Sequence, residues 1–268
     1  MMANFETHNL SEINSLNQRG GRMLSVVDLI EAGTLSEEMA AFCLCAIANG
    51  ASFLTAARPG GVGKTTVLAV LLGFLPPAVQ IRTVDGSGVI AKAKKDDPSK
   101  PVCYLPHEIG SGHWYGYIWG DDVAELFTLK EDRRRVASCI HVDTIDELQE
   151  VLTSSPLHVA EEHFRDLELA LFMTREGGLM GSKRRVCSLC EAGPTCEHHE
   201  LFRWDRSSDA IVRSGDSSLF ERIESCGGPS RADLETQLDR CTAFISELVA
   251  SGVQDFEDVR ARVVEFYA

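Results

Sequence analysis

Seven consecutive residues, Gly60-Gly61-Val62-Gly63-Lys64-Thr65-Thr66, have the types and order needed to hold a phosphate chain. Glycines let a backbone turn lie close to phosphate oxygens with no Cβ in the way. Successive N–H groups of such a turn point inward, and a helix opening at Lys64-Thr65 adds positive potential at its N-terminus. In that arrangement Lys64 reaches the β- and γ-phosphates and the Thr65 hydroxyl holds Mg²⁺. The ligands expected are ATP and Mg²⁺. The full motif opens on a glycine five residues before Gly63, and that position is Arg58. The opening residue belongs to the strand exit, so its change bears on loop entry more than on the phosphate cradle.

A second cluster has ligand chemistry. The stretch "CSLCEAGPTCEHH" contains Cys187, Cys190, Cys196, His198 and His199. A Cys-x-x-Cys, a Gly-Pro turn, then Cys and His offers four ligands for one tetrahedral structural Zn²⁺, taken as Cys187, Cys190, Cys196 and His199 in a knuckle over 187–199. Free reduced thiols beside a strand are the alternative. Nine cysteines, an odd number, argue for reduced thiols or metal ligands rather than a disulfide framework.

These groups need elements to position them. Polar residues 1–22 read as a flexible tail. "SVVDLIEAG" reads as a short helix stopped by Gly33. "TLSEEMAAFCLCAIANG" reads as a helix opened by a capping box from Thr34 to Glu37. The apolar run "ASFLTAA" is a strand leading into the loop, and "KTTVLAVLLGFL" is a buried helix leading out. "VQIRTV", "PVCYLPHEI" and "VASCIHV" are further strands, the last preceded by a solvated basic turn at Arg133, Arg134 and Arg135. "TIDELQEVL" and "HVAEEHFRDL" are helical. "ELALFMT" and "KRRVCSLC" are neighbouring strands joined by a turn. Strands alternating with helices predict an α/β sandwich around a mostly parallel sheet flanked by helices. The expected division is a core over 23–215 and a C-terminal helical region over 216–268.

Composition narrows the partners. A net charge of −14 makes a phosphate-backbone tracker improbable on charge grounds, so no direct nucleic-acid partner is expected. The opening residues lack the basic and apolar regions of a secretory leader. The longest apolar run is broken by Pro76 and Pro77, short of the roughly 20 residues of a membrane span. The expectation is a soluble cytoplasmic protein with no transmembrane segment, with attachment at the cytoplasmic face of the membrane left open.

Residues 24–205 together resemble the core of the type II/type IV secretion-system ATPases, which drive pilus assembly and DNA or protein export. In that family a helix and strand precede the phosphate loop, and the next strand ends in an acidic box, matched here by Asp85 after "IRTV". "VCYLPHEIG" is similar to the Walker B strand, with Glu108 at its glutamate. His107 and Gly110 stand where the family has glycine and arginine. "VASCIHVDTIDEL" is similar to the histidine box, with His141 at its histidine, and "SKRRVCSLCE" to a late strand. With the phosphate loop, the resemblance implies a P-loop NTPase with a RecA-like sheet, in which Glu108 orients the attacking water and His141 contacts the γ-phosphate. It also implies ATP shared between subunits, a homo-oligomer or ATP-dependent self-association, and a membrane platform partner. The family's N-terminal domain, which caps the nucleotide and supplies arginines, has too few residues here. The leading function is therefore a motor-type ATPase. The alternative is a catalytically degenerate nucleotide-binding regulatory or scaffold module; a small-molecule P-loop kinase is a weaker third reading, because a basic lid segment is not evident.

Overall fold

Residues Phe53–Ala56 (β1) are buried throughout, as befits a strand inside a parallel sheet with helices on both faces. The computed structural model describes residues 5–17, 20–97, 99–130, 134–177, 181–195 and 197–268. Before β1 run α1 (Glu6–Ser15), α2 (Val26–Glu31) and α3 (Glu37–Ala48). After it come α4 (Lys64–Leu72), β2 (Gln80–Thr83), α5 (Ser87–Ala93), β3 (Val102–Leu105), β4 (Glu108–Ile109), β5 (Tyr117–Ile118) and α6 (Asp121–Phe127). The chain continues with β6 (Arg134–Ile140), α7 (Ile145–Thr153), α8 (Glu161–Arg165), β7 (Leu169–Glu176), β8 (Lys183–Ala192), β9 (His198–Asp205) and β10 (Ala210–Arg213). It closes with α9 (Ser218–Ser225), α10 (Arg231–Ser251) and α11 (Phe256–Phe266).

The main sheet runs β10-β9-β8-β7-β1-β6-β3-β2. Strands from β7 to β2 are parallel, and β7 through β10 are antiparallel. The short strands β4 and β5 extend the sheet beside the end of β6. The sheet separates two apolar layers. One gathers Phe53 of β1 with α3, α4, α10 and α11; the other gathers Leu54 of β1 with α5, α6, α7 and α8. The α3 helix is apolar nearly all round because the sheet side covers one face and α10 the other.

Local chemistry sets the boundaries. Ser25 and Asp28 form a reciprocal capping box on α2. The Thr34–Glu37 box expected for α3 is not the one used. Ser36 caps α3 by accepting from the Met39 N–H, while the Thr34 carbonyl is taken by Val186 N–H of β8. The flexible tail expected over 1–22 is also revised, since its residues 6–15 are helical. The Asn9 side chain donates to Val79 O and accepts from Ile81 N–H, both at 2.8 Å. It thus occupies part of the open edge of β2, which an uncovered edge strand leaves exposed to stray pairing.

The basic turn is a further correction. Arg134 and Arg135 lie on β6 and are buried; Arg133 lies outside the described residues. Arg135 donates to Ile47 O in the last turn of α3 at 2.7 Å, and Arg134 to Ala93 O at the end of α5 at 3.1 Å. Helix C-termini present unpaired carbonyls and partial negative charge, which is what the two guanidiniums satisfy. They stand at the start of β6, opposite the end that carries His141.

Candidate functional site

Three parallel segments finish together. Ala56 of β1 pairs with Ile140 of β6, and Ile140 with Ile109 of β4. Residues just beyond them leave the same edge of the sheet, the edge where open α/β sheets bind ligands. The glycine-rich loop departs from β1 at this edge. Gly61 (φ 76°) and Gly63 (φ 113°) adopt left-handed conformations that side chains disfavour. Gly63 is the N-cap of α4. Val62 is buried in the core, while Thr65 and Thr66 are half-buried at the helix start.

Arg58 does not take a positive φ, so its position places no demand for glycine. Its N–H donates to Asp143 Oδ1 at 2.7 Å. Its guanidinium pairs with Glu147 and lies 3.5 Å from Asp143 Oδ2. The loop entry is thereby fastened to the N-terminal turn of α7. The Arg58 carbonyl faces His141 Nδ1 at 2.6 Å.

His141 is the hub. Its Nε2 lies 2.7 Å from Glu108 Oε1, and Lys64 Nζ lies 3.2 Å from its Nδ1. The imidazole thus stands between the Arg58 carbonyl, the Glu108 carboxylate and the Lys64 ammonium. The Tyr117 hydroxyl donates to Glu108 Oε2 at 3.2 Å. Burial, with the charge of Glu108 next, pushes the Tyr117 phenol up to about 12, so it stays a donor. The Lys64 ammonium donates to Ala57 O at 3.0 Å and is 6% exposed. Burial lowers its pKa below the ordinary lysine value, against the opposing attraction of Glu108. Thr55 Oγ1 donates to Lys64 O at 3.2 Å and touches Cys139 Sγ at 3.1 Å. The Thr65 hydroxyl also hydrogen-bonds the Cys139 thiol, which burial pushes up to about 12.

The sequence-predicted residues therefore divide. Gly60, Gly61, Val62, Gly63, Lys64, Thr65 and Thr66 form one loop and helix start, and Glu108 and His141 meet Lys64 there. Asp85 is exposed beyond β2 and makes no ion pair among the described residues; its charge is felt by Tyr115. Cys187 and Cys190 both face the layer containing α7 and α8. The Cys187 thiol donates to Phe172 O at 3.3 Å. His199 pairs across the ladder with Glu191, on the other face, where Glu191 accepts from Ser217 and Ser218 at the start of α9. Cys196 lies outside the described residues. Among the described residues no group of three or more His, Cys, Asp or Glu side chains is gathered to hold a metal.

Two features were not anticipated. The first is the Arg58–Asp143–Glu147 and Tyr117–Glu108 network, which joins segments far apart in sequence and leaves no local pattern. The second lies on the opposite flank of the loop. A cavity of about 380 Å³ opens there and reaches across the loop to Asp143, which pairs with Arg58; Pro59, Gly60, Met173, Arg175 and Arg206 also line it. Arg175 pairs directly with Arg184 across the β7–β8 ladder. Counting inward along the hairpin from "ELALFMTRE" and "SKRRV" would have aligned the two.

The chain has relatives in Methanocaldococcus jannaschii. It is 23% identical over 270 residues to Uncharacterized protein MJ0900, covering 91% of this chain and 49% of that protein. It is 21% identical over 262 residues to Uncharacterized protein MJ1287, covering 89% of this chain and 96% of that protein. The chain thus spans about half the length of the first and nearly all of the second. No protein-family model matches the chain. Neither relative carries an assigned activity, so the functional reading rests on the geometry of the site. Among the described residues no helix is long and apolar enough to cross a membrane.

Proposed function

We propose that the protein binds and hydrolyses ATP, as a P-loop ATPase related in mechanism to the secretion and pilus motors that its sequence resembles. The observation that carries this reading is the convergence of Lys64, Glu108 and His141 within hydrogen-bonding distance at one sheet edge. The strand order supports it as well. One strand, β6, stands between the loop strand β1 and the strand β3 that leads to Glu108, as in RecA-like sheets.

The cradle fits a phosphate chain: two left-handed glycines hold the turn open, and Lys64 and Thr65 stand at the helix start. The Thr65 hydroxyl would hold Mg²⁺, which would supply positive charge against the phosphates. The Lys64 ammonium stands against Ala57 O and His141 at the mouth of the loop, in reach of a terminal phosphate. Glu108, fixed from both sides by His141 and Tyr117, accepts a proton from a water aligned on the terminal phosphate.

Nucleotide titration tests the reading. Lys64→Ala is expected to lose binding, whereas Glu108→Gln keeps binding and loses turnover by on the order of a hundredfold. Equal affinity in wild type and Lys64→Ala would refute the phosphate loop. Wild-type protein that binds ATP yet shows no turnover would leave a nucleotide-dependent scaffold instead. Self-association, a membrane platform partner and a place at the cytoplasmic membrane face follow from the same resemblance and share its fate. A structural zinc is a separate proposal that now rests on Cys187 and Cys190. Elemental analysis of reduced protein finding about one zinc, lost in Cys187→Ser/Cys190→Ser, supports it.

A further inference from the structure

Arg175 and Arg184 stand directly opposite each other on antiparallel strands, an arrangement that costs stability because like charges face one another. Neither has an ion-pair partner among the described residues, although the surrounding basic side chains do. Lys183 and Arg185 pair with Asp209, and Arg206 with Glu176. In the sequence, residues 178–180, Gly-Leu-Met, carry no acid. The pair is also placed against the loop. A Cβ on Gly63 would lie 3.3 Å from the Arg184 Cδ, and Arg175 lines the cavity of about 380 Å³ beside Pro59 and Gly60.

The side of the loop matters. Glu108 and His141 approach it from β6 and β4, whereas β7 and β8 lie on the other side of β1. A phosphate chain with its terminal phosphate at Lys64, Glu108 and His141 has its nucleoside end toward β7. We infer that Arg175 and Arg184 bind the inner phosphates of a nucleoside di- or triphosphate, and that the adjoining cavity receives the nucleoside. This rests on the phosphate-loop reading and adds to it the half of the ligand that the loop motif does not address. Met173, Pro59 and Val62 supply apolar surface in the cavity wall, and planar guanidiniums supply both charge and a stacking face.

The experiment is calorimetric titration of the full chain with ADP and with ATP, each with Mg²⁺. The variants are Arg175→Gln, Arg184→Gln, the double variant and Lys64→Ala. Glutamine keeps most of the stem and removes the charge. Each arginine variant is expected to weaken ADP and ATP by the same factor, about tenfold. The unfolding midpoint without nucleotide is expected to hold or rise, since a repulsive pair has been removed. Loss of ATP affinity alone would place the arginines at the terminal phosphate and overturn the inference. So would a lower midpoint without nucleotide, or unchanged affinities alongside a weakened Lys64→Ala. If the wild type binds neither nucleotide, the phosphate-loop reading itself fails and takes this one with it.

Discussion

Arg58 shows how a residue off the motif is absorbed at the scale of single side chains. The backbone there does not need a left-handed conformation, so a side chain is tolerated, and that side chain ties the loop entry to Asp143 and Glu147. The guanidinium is 66% exposed, so its ion pairs are screened and worth little individually. Arg58→Gly, which restores the full motif, is expected to lower the unfolding midpoint slightly by adding chain entropy, and to leave ATP affinity within about threefold. Loss of binding as large as that of Lys64→Ala would show that the clamp, not the glycine cradle, holds the ligand. Lys64 was legible in the glycine-rich loop itself, and Glu108 and His141 only through the resemblance, whose motifs run in that order along the chain. Tyr117 and Asp143 were not, because their roles depend on which strand ends meet, and no local spacing records that.

Among the elements, the break between β3 and β4 is the instructive one. "PVCYLPHEI" reads as one strand, but the chain steps away from β6 at Pro106 and His107 before rejoining it at Ile109. His107 is buried in that step, with its N–H donating to Gly116 O at 2.7 Å and its Nε2 3.3 Å from Ser15 Oγ of α1. Gly116 is left-handed, and a Cβ on it would come within 2.5 Å of the imidazole. Burial holds the His107 pKa below the ordinary value, with Glu12 as the opposing charge. The folded state therefore binds fewer protons than the unfolded chain just below the unfolded histidine pKa of about 6.5. This contribution to stability is present above that pH and is lost as pH falls through and below it. The unfolding midpoint should drop between pH 7 and 5, with a shallower drop in His107→Gln; identical profiles would remove His107 from the account. The parallel strands and the β7–β8 hairpin were legible from apolar runs. The helix α1 and the strands β9 and β10 were not, because their sequences are polar and edge positions hold them: Asn9 against β2, and β9 and β10 at the antiparallel end.

Seen as a whole molecule, the first and last described helices close on the end of the helix that the glycine-rich loop opens. Arg260 of α11 is 3% exposed, and its guanidinium makes a two-point pair with Glu6 at 2.6 and 2.8 Å. It also donates to Gly73 O at 2.9 Å and to Leu75 O, the carbonyls just past α4. Arg260→Ala removes the buried guanidinium from these carbonyls and from Glu6 and is expected to cost about 3–5 kcal/mol in denaturant unfolding. A cost under about 1 kcal/mol would show that the junction relaxes freely. A second prediction at this scale concerns assembly. If ATP is shared between copies, Glu108→Gln with ATP should give a larger species by light scattering than the nucleotide-free protein. A strict monomer in both conditions would count against a ring. The Glu6–Arg260 contact has one more consequence. It ties α1 to α11 at the far end of α4, about 14 Å of helix from Gly63. A circular permutant that links residue 5 to residue 268 through a short linker and opens the chain at the exposed turn of residues 206–209 should fold with the glycine-rich loop intact.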